Sequence, residues 1–264
     1  MIDSHIHADA RSSEDLEKMF ISGIDTAITC AYYPYKIPNE TILLNHLERI
    51  LYHETERASK YGIKLEVALG IHPANVVKSP DIILDKLYEY INNNDIIAIG
   101  EIGLDSSSPE EKEIFKKQLE IADETKSKVI IHTPRKNKQK VLKEIKSIVL
   151  ENIDPNLVVI DHVNSNIVED LIDEDFKLGL TVQPQKMEID EAISILKEYG
   201  FDNFLLNSDM SNKPSDPLSV PKTIRTLKKL QFSAKEIDKI AFKNASNFFN
   251  IDWNWIKIIY KSIK

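Results

Sequence analysis

An alternation that runs from one end of the chain to the other restricts its fold most. Short apolar runs rich in β-branched residues occupy 1–7, 24–33, 64–72, 95–104, 128–134, 156–163, 176–184 and 202–209. Longer amphipathic patterns lie between them, among them 12–23, 39–62, 109–126 and 190–200. Several open on a capping residue with acids in the first turn, as "SSPEEKE" does, and several end at glycine, which are helix start and stop signals. Strands joined through helices pair in parallel, and eight such units in a row close into a barrel. The expected fold is therefore α/β, a (β/α)8 TIM barrel in a single domain over 1–264. Extra C-terminal helices are expected over 217–230 and 233–250, the second capped by Ser233, and "WNWIKIIYKSIK" is expected to lay an aromatic stripe against the barrel's outside.

Composition narrows the partners. A formal net charge of −8 argues against a protein that coats nucleic acid electrostatically. No window approaches the roughly 18 to 20 consecutive apolar residues of a membrane span, and "MIDSHIH" lacks the basic-then-apolar layout of a secretory signal, so a cytoplasmic protein without membrane contact is expected. Cys30, the single cysteine, excludes an internal disulfide and reads as a buried strand residue in "AITCAYY".

Barrel chemistry sits at the C-terminal strand ends. The first strand ends in "DSHIH", where His5 and His7, two apart, share a face. In "IAIGEIGLD" alternation puts Ile97, Ile99 and Glu101 on one face, and "VIIHTPR", "VVIDHV" and "LLNSDMS" offer His132, His162 and Asp209. Taken singly, each has an ordinary reading as a hydrogen-bonded loop histidine or a capping acid. Together they would leave several costly polar groups buried and unpaired unless a metal bound them. Six ligand-type residues exceed one tetrahedral site, so two divalent ions about 3.5 to 4 Å apart are expected, with Glu101 as the bridging carboxylate. Two cations acting on one water lower its pKa toward neutrality, which is a hydrolytic centre. Imidazole-rich ligation favours Zn, Mn, Fe or Ni, and the carboxylates also admit Mg.

"DSHIH", "GIHP", "IGEIGLD", "IIHTPR", "DHV" and "NSD", in this order across essentially the whole chain, resemble the TatD-type deoxyribonucleases, metal-dependent hydrolases among the amidohydrolase-like TIM barrels. The resemblance implies that His5, His7, Glu101 and Asp209 hold one metal and that Glu101, His132 and His162 hold the other, with Asp209 also orienting or deprotonating the attacking water. Related branches bridge their metals with a carboxylated lysine, a role that falls here to Glu101. Departures gather on the substrate side: "SSS" at 106–108 replaces an aromatic pair, Ala74 stands where a histidine is common, Val163 where a cysteine is common, and "HTPR" replaces a shorter "HSR". The chain therefore reads as a divergent TatD-related branch.

Around the ligands, His72 is a substrate contact or a loop cap, and Arg135 neutralises a phosphate or forms a surface ion pair. Gln183 shares a face with Thr181 and reaches the substrate or an inner ligand. Arg11 and Lys186 are weaker candidates on strand-end loops, and "RKNKQK" (135–140) is a solvated helix start that also suits a polyanion. The leading expectation is a two-metal phosphoesterase, a nuclease acting on single-stranded nucleic-acid ends included. The alternatives are hydrolysis of a C–N or C–O bond of a small molecule, and a metal-binding barrel without catalysis.

Overall fold

A computed structural model describes residues 1–252. Eight parallel strands follow one another in sequence order, β1 to β8, in one sheet. They are β1 (Ile2–Ile6), β2 (Thr26–Cys30), β3 (Lys64–Leu69), β4 (Ala98–Gly103), β5 (Lys128–His132), β6 (Val158–Val163), β7 (Lys177–Thr181) and β8 (Phe204–Asn207). The sheet curls into the expected (β/α)8 TIM barrel, and β1 meets the end of β8 across its seam. There the His7 N–H donates to Met210 O at 2.8 Å and the Asp209 N–H donates to His5 O at 3.0 Å. Residues at opposite ends of the chain thereby share one barrel rim.

Helices surround the sheet: α1 (Ser13–Ile21), α2 (Glu40–Glu48), α3 (Thr55–Ser59), α4 (Asp81–Asn92), α5 (Pro109–Thr125), α6 (Lys138–Asn152), α7 (Ile189–Tyr199) and α8 (Ser219–Lys229). Two short helices follow, α9 (Ala234–Asp238) and α10 (Asn244–Phe249). Local chemistry sets their ends. The Ser108 hydroxyl accepts from Glu111 N at 3.2 Å to start α5, and Ser233 with Glu236 forms a reciprocal capping box at α9. The patterns over 39–62 and 233–250 each resolve into two helices joined by a π-turn, Arg49–Glu54 and Lys239–Lys243. The unit after β6 departs from the simple alternation: residues 164–176 form turns and bends, and no helix crosses from β6 to β7.

Phe248 and Phe249 of α10 pack with Ile2, Ile28, Ala98, Ile130, Val159 and Leu205, one apolar cluster drawn from strands around the barrel. The Asn244 side chain donates to Phe201 O and Phe204 O, at the start of β8, and Lys128, at the start of β5, lies over the Phe248 ring. Helix α10 therefore closes the floor of the barrel, at the end opposite the candidate ligands. The aromatic stripe expected in "WNWIKIIYKSIK" lies outside the described residues. No helix among the described residues is long and apolar enough to cross a membrane.

Candidate metal centre

Three strands slip register just before they deliver a candidate ligand: β1 between Asp3 and Ile6, β4 between Gly100 and Ile102, and β6 between Ile160 and Val163. A bulge adds one residue to one strand and re-aims the side chains beyond it. For Glu101 this corrects the parity argument. Ala98 belongs to the barrel-floor cluster, while Ile99 packs in the larger cluster with residues of the surrounding helices. Glu101 thus reaches the mouth through the bulge and not by continuing the face of Ile99. In β6 the same device, with His162 at φ 58, turns both Asp161 and His162 inward. Asp209 also adopts a left-handed backbone, φ 43, a conformation that L-residues hold only when the surroundings impose it.

All six expected ligands converge. Glu101, 2% exposed, is the centre of the cluster. Its Oε2 lies 3.5 Å from His5 Nε2 and 3.7 Å from His7 Nε2, and its Oε1 lies 2.8 Å from His132 Nδ1 and 2.9 Å from His162 Nε2. Each carboxylate oxygen therefore faces a different set of imidazoles. Asp209 Oδ1 is 3.1 Å from His7 Nε2. Three groups have ligand atoms close enough to share an ion: His5, His7 and Asp209; His5, Glu101 and His162; His72, Glu101 and His132.

The hydrogen-bond partners sort the rings by tautomer. His162 Nε2 contacts the Glu101 Oε1 carboxylate oxygen at 2.9 Å, so its neutral ring carries the proton there and its Nδ1 accepts from the Thr181 hydroxyl at 2.7 Å. His5 Nδ1–H donates to Asp161 Oδ2 at 2.5 Å and His7 Nδ1–H donates to Cys30 O at 2.9 Å, so each of these two neutral rings turns a bare Nε2 toward the cluster. That of His5 is buried and has no partner, a vacant donor atom suited to a metal. His72 is the reverse: the Ala74 N–H donates to its Nδ1 at 2.9 Å, so its neutral ring carries a proton on Nε2, 3.6 Å from Glu101 Oε2. It is an N–H donor at the mouth. His132 stands between two carboxylates, Glu101 and Asp105, the latter 2.9 Å from its Nε2.

Electrostatics follow this sorting. Burial pulls the His72 ring down to about 3, and burial with the neighbouring Lys186 pulls His162 down to about 4. Burial acts on His132 as well, but Glu101 and Asp105 outweigh it and hold the ring up to about 9. Burial works against the Glu101 carboxylate, yet His5 and His132 keep it well below the usual range.

Four residues around the cluster were given little or no role by the sequence. Asp161 holds His5 and accepts from His162 N at 2.8 Å and from Asn207 Nδ2 at 2.9 Å. Its oxygen fills the space above Gly179, where a Cβ would stand 2.0 Å from Oδ1. Asp105, at the end of "EIGLD", braces His132, and Tyr32 meets the His7 ring at a tilt and the His72 ring edge-on. Lys186 reaches into the centre, where its Nζ pairs with Asp209 Oδ2 and lies 3.3 Å from His162 Nε2. Gln183 is buried, and its amide donates to Asp209 O at 2.5 Å and Oδ2 at 3.1 Å while accepting from Arg135 at 3.0 Å. It braces Asp209 and does not line the open mouth. Arg135 and His72 do line it, in a cavity of about 410 Å³ whose rim also carries Lys136, Lys186 and Lys213.

A family model described as TatD related DNase matches residues 2–250. An uncharacterized metal-dependent hydrolase of Methanocaldococcus jannaschii is 41% identical over 253 residues, which cover 95% of this chain and 100% of that protein. The crystal structure of a TatD-like protein from Archaeoglobus fulgidus superposes with a TM-score of 0.82 at 28% identity, covering 95% of this chain and 100% of that one. At 12% identity, the phosphotriesterase homology protein of Escherichia coli, crystallised with phosphate in its active site, shares the fold with a TM-score of 0.67 over 94% of this chain and 98% of its own.

Proposed function

We infer, from the premise that this chain belongs to the TatD related DNase family and is a metal-dependent hydrolase, that it hydrolyses phosphoesters at a two-metal centre. The placement of Glu101 carries the metal part: one oxygen toward His5 and His7, the other toward His132 and His162. His5, His7 and Asp209 would hold one divalent ion, His132 and His162 the other, with Glu101 between them. When bound, the ions supply Lewis acidity and a water of lowered pKa. The mixed imidazole and carboxylate set suits Zn, Mn, Fe, Ni or Mg.

The chain's own groups do the remaining work. Asp209, braced by Gln183, is positioned to accept the proton of the attacking water. The His72 Nε2–H remains a neutral donor toward an anionic oxygen, because its ring is held unprotonated across the working range. Substrate class rests on the rim. On a chain of net charge −8, Arg135, Lys136, Lys186 and Lys213 line the mouth, and the acids that line it, Glu101, Asp105 and Asp209, are all committed to the histidine cluster or to Lys186. A phosphodiester, a nucleic-acid end included, meets that demand, with the reaction in the cytoplasm. The deciding experiment is elemental analysis followed by assays of phosphodiesters, phosphomonoesters and lactams on the same Mn-, Zn- or Mg-loaded sample. Metal-dependent cleavage of the phosphoesters supports this reading, and cleavage of lactams alone moves the chemistry to a C–N bond.

Two expectations follow from the ring sorting. Asp161→Asn leaves the His5 ring free to turn or to change tautomer, so metal affinity should fall by about 10- to 100-fold in a competition titration with a chelating dye. Unchanged affinity would exclude an orienting role for Asp161. Metal uptake should also depend on pH. In the metal-free protein His132, held at about 9, is protonated at neutral pH and must lose that proton to ligate. Affinity should therefore rise with pH up to about 9, with proton release detected as a buffer-dependent binding enthalpy.

A further inference from the structure

Beside the mouth lies a smaller cavity of about 90 Å³, bounded by Thr133, Arg135, Lys138, Asn164, Gln185 and Lys186 among others. Three of these side chains are basic, and among the described residues no carboxylate lines the cavity. Lys138 is satisfied only by neutral acceptors, Thr133 Oγ1 at 2.7 Å and His162 O at 2.9 Å. Arg135 bonds the Gln183 amide oxygen, also neutral. Lys186 alone touches a carboxylate, Asp209, for which a metal ion would compete. Lys138 and Lys140 furthermore fill the first turn of α6 where acids ordinarily stabilise a helix start, and Asn137 makes no side-chain cap there. Like charges gathered with so little counter-charge call for an anion.

The two cavities share Arg135, His162 and Lys186, so a group held in the smaller one lies next to the metal cluster. At 90 Å³ against 410 Å³ for the mouth, it suits one tetrahedral oxyanion. We propose that this cavity is a subsite for a phosphomonoester dianion, the terminal phosphate of a substrate whose scissile phosphoester lies at the metal cluster. The proposal rests on the phosphoester reading above. Three basic side chains match a terminal dianion better than an internal diester, which carries one charge and two bulky substituents.

The test compares three thymidine dinucleotides as substrates of the metal-loaded protein, phosphorylated at the 5′ end, at the 3′ end or at neither. One phosphorylated form should be cleaved with kcat/KM about tenfold or more above the unphosphorylated one, and Lys138→Met should bring that ratio close to one. Equal cleavage of all three by the unmodified protein overturns the subsite and leaves the phosphoester reading standing. Cleavage of none removes the phosphoester reading, and calorimetric titration with methyl phosphate then decides the subsite alone. Binding that weakens about tenfold or more in Lys138→Met and in Arg135→Met supports it; no binding, or equal binding in all three proteins, overturns it.

Discussion

Replacing Glu101 with alanine is expected to lower kcat/KM by about a thousandfold or more and to reduce the metal content from about two ions per chain to at most one. The reason is geometric. Among the described residues Glu101 is the carboxylate whose two oxygens face His5 and His7 on one side and His132 and His162 on the other, so in the proposed two-metal centre its loss would take a ligand from both ions at once. Removing it also removes a main counter-charge that keeps His132 protonated in the metal-free protein, so the ring should titrate well below 9 by proton NMR. Glu101→Gln keeps the side-chain volume and separates charge from packing: it should hold its fold while sharing the loss of metal. An alanine variant that still carries two ions would sink the bridging assignment.

The second large effect is expected at a residue that touches no ion. Gly179 lies in β7 directly beneath Asp161, and a Cβ there would stand 2.0 Å from Oδ1 and 2.7 Å from Cγ of that carboxylate. Gly179→Ala must therefore displace a buried acid from Asn207, from the backbone of His162 and from the His5 ring. Overpacking and a displaced buried charge together should cost about 3 kcal/mol or more. For a chain of this size that is a fall in Tm of roughly 6 to 12 °C. Metal affinity should drop as well, because His5 loses its brace. Restored affinity in the double variant Gly179→Ala with Asp161→Ala would show the effect to be simple crowding without any orienting role for the acid.

The barrel was legible because its evidence is periodic: eight apolar runs separated by helical patterns leave few other topologies. The six converging ligand-type residues were legible because each ends such a run. What escaped was local backbone. Strict alternation sets Asp161 and His162 on opposite faces, and only the bulge in β6 brings both inward. The absence of a helix between β6 and β7 lay in a polar stretch, "NSNIVEDLIDED", that carries no breaker stronger than its own aspartates. Lys186 stood out too weakly in sequence, since a lysine two residues beyond an apolar run ordinarily faces solvent, whereas here the turn after β7 folds it back over Asp209.

The register slips in β1, β4 and β6 carry a consequence for how such a protein changes over time. A single-codon deletion inside the β6 slip would restore regular pairing and keep the apolar pattern that folds the barrel, but strict alternation could then turn only one of Asp161 and His162 inward. Loss of chemistry with retention of fold is thus one indel away. Lineages of this barrel should shed activity by losing one residue inside a strand more readily than by substituting the ligands themselves.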